Sequence, residues 1–268
     1  MKLDVGVSVD SLTALGTVGT PTYDSDALAI FAAFTTPPVA ARKTLINACV
    51  VSLKTAGVWS TLDALWVMAA ADSQAARINW KNPATFTLSP VNSPTFTADR
   101  GYQGDGATSY LNTGFTPSTA GGSFSLNSAH LGVWSRTDLN SAAADMGAGA
   151  AGATSSMFVR NSGNLAGRSN DNSGSATMFA TADSLGHFVL GRTDGTNRRG
   201  SKNGAAATTV AAASVTLTNA QITVAALGGA SMSSRQYAEA HLGGGLSDAN
   251  VAALYNALLT YNQAVGAA

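Results

Sequence analysis

The chain of 268 residues has one cysteine, Cys49. No disulfide within the chain and no multi-cysteine metal site can form. The apolar run INACVVSL around Cys49 reads as a buried, inert thiol. Charge is also scarce: Asp, Glu, Lys and Arg make up 11%, against about 25% in an ordinary soluble domain. The formal net charge is +0. Arg42-Lys43 and Arg198-Arg199 are the only adjacent basic pairs, so the basic stripe that phosphate neutralisation requires is missing and nucleic-acid binding is not expected. Long apolar runs are absent too. ALWVMAAA at 64–71 is as long as any, far short of the roughly 20 residues that span a bilayer, so no membrane insertion is expected. Asp4 and Asp10 interrupt the N-terminus where a secretory signal would need an apolar core. Glutamate occurs once, at Glu239, whereas glycoside hydrolysis usually needs two carboxylates. No G-x-S-x-G elbow occurs.

What is present is 45% hydrophobic residues with Ala, Gly, Ser, Thr and Asn in place of charge. Such a surface hydrogen-bonds but is weakly charged. It suits a protein packed into an assembly or exposed outside a cell. Residues 1–23 are β-branched and turn-rich and predict an extended arm. Residues 24–82 predict a helical subdomain. Asp24 or Ser25 can cap a first helix with Leu28 and Phe31 on one face. Thr36 and Pro37 suit the N-cap and first position of a second. It carries Leu45, Ile46, Cys49, Val50 and Leu53 as a stripe and ends at Gly57. A third helix is expected from Ser60, with Asp63 in a variant capping box and Leu62, Leu65, Trp66 and Ala69 inward. One last helical turn or two is expected from Asp72 to Trp80.

From residue 83 the period changes from 3.6 to 2. HLGVWSR, SSMFVRN and HFVLGR alternate, as do Val215 with Leu217 and Ile222 with Val224. Asp194-Gly195 and Asn203-Gly204 are hairpin dipeptides. Short strands at this spacing predict an all-β sandwich. Residues 83–268 close with a helix from Ser247, stapled by Leu246 and Val251.

Several motifs could carry chemistry. GAGAAG at 147–152 matches G-x-G-x-x-G, but it leads into a strand rather than a helix, so a hairpin loop is expected. Period two puts Tyr237, Glu239 and His241 on one face, expected to be the solvated face of an outer strand. His130, His187 and His241 are far apart in sequence and are expected to be structural or surface residues. Asn170-Asp171-Asn172-Ser173-Gly174 offers oxygens for a calcium ion, but an Asx turn is favoured. No other cofactor is expected. The stretch FTADRGYQGDGATSYLNTGF at 96–115 reads as sandwich strands joined by turns, with Asp99, Tyr102 and Asp105 at a rim where a sugar or ion could sit. Trp134, Tyr237 and Glu239 complete the candidate glycan or ion contacts. No catalytic residue is assigned.

The segment LAIFAAFTTPPVAARKTLINACVVSLKTAGVWSTLDALWVMAAADSQAARINW, followed by SPTFTADRGYQGDGATSYLNTGFTPS, resembles a group of tailed-phage and prophage structural proteins. The β part is similar to concanavalin A-like, laminin-G-like sandwiches on the strength of SYLNTGF, HLGVWSR, the hairpin at 194–205 and LSDANVAALYNALLTY. The resemblance implies a two-sheet antiparallel jelly-roll, with an N-terminal helical subdomain for virion docking and a C-terminal helix. It implies a non-enzymatic, tail- or fibre-associated virion protein, assembled in the host cytoplasm and present in several copies. Its partners would be other virion proteins or a host surface glycan. A capsid decoration or head-fibre role is the alternative within the structural class, and a glycan-cleaving enzyme the competing class.

Overall fold

The computed structural model describes residues 22–150, 152–173 and 176–268. The arm expected over 1–23 lies outside the described residues except for its last two. Helix α1, Ser25–Ala33, is capped by Asp24, whose side chain accepts from the Asp26 amide. It buries Ala27, Ile30 and Phe31. Leu28, expected inward, is half exposed. Helix α2, Ala40–Thr55, begins three residues later than the Thr36-Pro37 signal suggests, with Val39 at the N-cap and no side-chain cap. Gly57 takes the expected left-handed conformation beyond its end.

The third helix is not formed. Leu62–Val67 is a strand, β1, entered through a single 3-10 turn at Trp59–Thr61. Five of its six residues are buried. A strand covered on both faces is apolar at every position, so the same residues satisfy a helical spacing as readily as a strand's. Asp63 caps no helix; its carboxylate accepts the amides of Ser123 and Phe124. The helical turns expected at 72–80 reduce to one 3-10 turn, Ala75–Arg77.

Two antiparallel sheets face each other. Sheet I contains β1, β3 (Thr95–Thr97), β4 (Gly101–Gln103), β6 (Ala129–Ser135), β11 (Gly186–Arg192), β12 (Asn197–Lys202), β13 (Thr208–Ala211) and β15 (Gln236–Gly243). Sheet II contains β2 (Ser89–Val91), β5 (Tyr110–Asn112), β7 (Met146–Ala150), β8 (Ala153–Asn161), β9 (Asn164–Asp171), β10 (Ala176–Ala180) and β14 (Thr223–Val224). The expected two-sheet sandwich is therefore present. The order in sheet I is β13-β12-β11-β6-β15-β4-β3. The start of β15 pairs with β4 and the rest pairs with β1. Asp194-Gly195 joins β11 to β12, and Asn203-Gly204, both at positive φ, turns β12 towards β13. GAGAAG is mostly strand β7 in a hairpin with β8, rather than loop. Val215 and Leu217 form no strand, and Val215 is exposed.

The inner faces meet in an apolar core that includes Leu131, Val133, Phe188, Leu190 and Leu242 from sheet I and Met146, Met157, Val159 and Leu165 from sheet II. Two buried carboxylates, Asp145 just before β7 and Asp171 at the end of β9, tie the sheets together. Asp145 accepts from Arg235 Nη1 at 2.9 Å and from the Tyr237 hydroxyl at 2.6 Å. Asp171 lies 3.6 Å from both Arg192 and Arg198. Charges removed from water need such partners.

Helix α3, Asp248–Val265, covers the outer face of sheet I, with α2 beside it. Ser247 and Asn250 form a capping box, and Gly266 ends the helix in the left-handed conformation. Beneath α3 the central strands carry rings. Gly132, on β6 opposite His241 of β15, leaves room for that imidazole to lie across the sheet. A Cβ at 132 would sit 2.0 Å from His241 Cε1. Gly132→Ala should destabilise the fold by about 1–3 kcal/mol, the usual cost of overpacking, measured by urea denaturation. A change within experimental error would show that the ring does not need the gap.

Candidate functional site

Five of the six residues proposed from sequence have no open site to serve. Asp99 stands at positive φ in the β3–β4 turn and is ion-paired to Arg42 of α2 at 2.6 Å. Tyr102 is buried, packs on Phe96 and donates to the Ser73 carbonyl. Asp105 is exposed, but Oδ1 accepts the amides of Ala107, Thr108 and Ser109, and Oδ2 accepts the Thr108 hydroxyl. These bonds hold its carboxyl well below the usual range. Tyr237 is buried between the sheets on Asp145 and Ser233.

Glu239 requires a correction. It is fully buried, on a strand inside sheet I rather than on a solvated outer strand. The period-two argument also fails here. A register shift between Tyr237 and Glu239 interrupts the pairing of β15 with β6, and a bulge of this kind flips the faces that follow it. Tyr237 therefore points to sheet II, while Glu239 and His241 point to α3. Asn262 of α3 donates to Glu239 Oε2 at 2.9 Å, and Oε1 has no partner among the described residues. Burial pushes the Glu239 carboxyl up to about 8, so it holds a proton at neutral pH.

The three histidines, scattered in sequence, meet because β11, β6 and β15 are neighbours. Their contacts fix every proton. The Gly244 carbonyl can only accept, so His130 Nδ1 donates to it at 2.5 Å. In a neutral ring His130 Nε2 must then accept, and His241 Nδ1 donates to it at 3.0 Å. His241 Nε2 in turn accepts from His187 Nε2 at 2.7 Å. His187 Nδ1 is left as a buried acceptor without a partner among the described residues. Burial pulls His130 down to about 4, His187 to about 3 and His241 well below the ordinary value. The rings form a hydrogen-bonded row rather than a convergent metal shell, and no group of three metal-ligating side chains occurs among the described residues. In the stretch 170–174, Asp171 accepts from Ser173 and Ser169 and faces two arginines; Gly174 lies outside the described residues.

Trp134, the sixth candidate, lines a cleft of about 460 Å³ at the margin of α3, within the range of small-ligand sites. Its ring lies 5.7 Å from that of Tyr255 on α3, the two planes 6° apart, and His187 stacks 6.0 Å from the indole beneath. Arg136, Lys202, Asn203, Asp183 and Leu185 complete the principal lining. The Asn203-Gly204 turn shapes one wall: a Cβ on Gly204 would lie 2.8 Å from the Tyr255 ring. Asp183 is the only acidic side chain in the lining, and Lys202 binds it at 2.7 Å. Tyr255, Arg136, Lys202 and Asn203 were not foreseen as a group. They are separated by up to 119 positions (255 less 136) and meet only because α3 returns across sheet I. The one local signal was the Asn-Gly turn.

No family model matches this chain, and no curated protein matches it. Among solved structures, the binding domain of botulinum neurotoxin serotype D aligns with a TM-score of 0.51 and 9% identity over 76% of this chain and 52% of that one. Domain 4 of AbnA, a GH43 extracellular arabinanase from Geobacillus stearothermophilus in complex with arabinotriose, gives 0.45 and 13% over 72% of this chain and 98% of that one. Trypanosoma rangeli sialidase gives 0.46 and 10% over 81% and 39%. The chain thus spans about half of the neurotoxin domain and less of the sialidase. At such identities the first likeness speaks for the sandwich fold alone, and the other two carry no further argument.

The buried row sets a pH signature. Unfolded histidines titrate near ~6.5, so the unfolded chain takes up protons below that value while the folded row stays neutral. The row's contribution to stability is full above about pH 6.5 and is lost as pH falls towards 4 and 3. Glu239 runs the other way: its contribution is full below the unfolded value near ~4.5 and is lost as pH rises through about 8. Urea titrations should therefore show wild-type stability falling below pH 6.5. The advantage of Glu239→Gln over wild type should grow between pH 5 and 8, and a constant difference would contradict the neutral, buried acid.

Proposed function

We propose that this chain is a non-enzymatic structural protein of a tailed-phage virion, tail- or fibre-associated, whose sandwich contacts a host surface glycan through the cleft lined by Trp134 and Tyr255. The cleft carries the glycan part of the reading. It pairs aromatic rings with an amide and charged hydrogen-bonding groups, the combination by which sugars, apolar on their faces and polar at their edges, are held. The non-enzymatic part is supported by the lining, which offers one acidic side chain already bound to lysine, whereas glycoside hydrolysis usually uses two.

The virion part rests on the phage-like segments at 28–80 and 93–118 and on the low charge of the whole chain. Within this reading the segment 24–82 docks the protein to its virion neighbours. It exposes Leu28, Val39 and Val51, while its opposite side is fixed to the sandwich core.

A glycan array probed with the purified chain should show saturable binding, lost in Tyr255→Ala with the fold retained by circular dichroism. Absence of binding to any glycan at high protein concentration would remove the glycan assignment. Antibody labelling of particles of the phage that encodes this chain should decorate the tail or its fibres. Decoration of the capsid alone would replace the tail assignment with the decoration role.

A further inference from the structure

The outer strands of the two sheets are β13 and β3 in sheet I and β10 and β2 in sheet II. An outer strand offers unpaired amides and carbonyls to any further strand that fits. Three of these four are protected. In sheet II, β2 carries Pro90, and β10 is broken by a register shift between Thr177 and Phe179. In sheet I, β3 is three residues long, follows Pro94 and leads to Asp99 at positive φ. Proline, a bulge and a very short strand each oppose the addition of another strand.

The fourth, β13, has neither proline nor charge. No proline occurs after Pro117, and no Asp, Glu, Lys, Arg or His occurs between Lys202 and Arg235. Among the described residues β13 pairs with β12 alone. The Ala212 amide donates to the Thr196 carbonyl, and an antiparallel ladder alternates, so Val210 and Thr208 also turn their backbone groups to β12. Thr209, Ala211 and Ala213 turn theirs outward, where they meet no partner among the described residues. All three are exposed. The next outward amide, that of Ala207, is taken by Asp248 of α3. The free stretch is therefore 209–213. Beside it lies β10, also uncharged, since no charged residue occurs between Asp171 and Asp183. The arginines of β12 are engaged: Arg199 pairs with Asp248, and Arg198 faces Asp171.

This chemistry fits a second copy of the chain. An uncharged strand of small residues meets its own copy without like-charge repulsion, and it offers a charged partner no counter-charge. We infer that two copies of this chain add β13 to β13, antiparallel about a two-fold at Ala211, and so join their sheets I into one. Ala211 then faces its own counterpart, and Thr209 faces the counterpart of Ala213, each pair exchanging both N–H···O bonds. Val210, half-buried at the end of the core, is covered in the same step. A two-fold that relates antiparallel strands stands perpendicular to their sheet, so both α3 layers and both clefts lie on one face of the pair. The inference does not depend on the glycan or virion readings above.

The test is sedimentation velocity of the purified full chain from about 1 to about 100 μM protomer. A dimer should form. The amides of Thr209, Ala211 and Ala213 should exchange slowly in deuterated water at the high end of the range and rapidly at the low end. Ala211→Lys and Ala211→Asp each set like charges face to face at the axis and should raise the dimer dissociation constant about fivefold or more. An equimolar mixture of the two variants should recover association, with opposite charges at the axis. Residue 211 is exposed, so both variants should keep the circular dichroism of the wild type. Thr209→Pro, which removes only an outward amide, is a further blocking variant. A chain that stays monomeric over this range would overturn the inference. So would a dimer that all three variants leave undiminished, or one that lysine and aspartate weaken without recovery in the mixture. A monomer that still binds glycan would leave the function proposed above standing.

Discussion

The outer face of sheet I cannot be left to water, because what it carries has already committed its protons inward. Three imidazoles run in one hydrogen-bonded direction from His187 to the Gly244 carbonyl, and Glu239 stands beside them with one oxygen held by Asn262. Each accepting ring, His241 and His130, must be neutral to keep a nitrogen lone pair for the donor before it. That requirement favours a dry cover, and α3 supplies it. Asn262 and Tyr255 meet the polar and ring ends of the row from above. Gly132 makes the arrangement possible from below by omitting the one side chain that would occupy the path of His241.

The cleft is a consequence of that cover. Where α3 passes the edge of the row, Tyr255 lies parallel to Trp134, and the β12–β13 turn closes the side at Gly204. The cleft's aromatic floor is therefore held by buried, neutral groups, and its polar rim by side chains at the ends of β6 and β12. Buried Asp145, bonded to Arg235 just before β15, and Asp171, beside Arg192 and Arg198 of sheet I, link the two sheets beneath. Rigid support under an aromatic pair reduces the ordering that a ligand must impose on binding.

The sequence made some of this legible and hid the rest for physical reasons. Helix α3 was visible because Ser247 caps a periodic stretch that Leu246 and Val251 staple, and the β12–β13 turn because Asn-Gly tolerates positive φ at both positions. Strand β1 was hidden because burial on both faces erases the period that distinguishes strand from helix. The faces of Tyr237 and Glu239 were hidden by one irregular pairing step, which leaves no trace in composition. Trp134 was named as a contact, but its partners Tyr255, Arg136 and Asn203 belong to segments that only the crossing of α3 brings together. The histidine row was out of reach for the same reason. Its members lie on three strands adjacent in space and far apart along the chain.

The most direct test of the central claim is imidazole ¹⁵N–¹H correlation spectroscopy of the folded chain across pH 5 to 8. Three neutral rings should appear, protonated on Nδ1 in His130 and His241 and on Nε2 in His187, with shifts unchanged through that window. Any of the three titrating near pH ~6.5, the ordinary value for a solvated histidine, would show that the row is open to water and that α3 does not cover it as described.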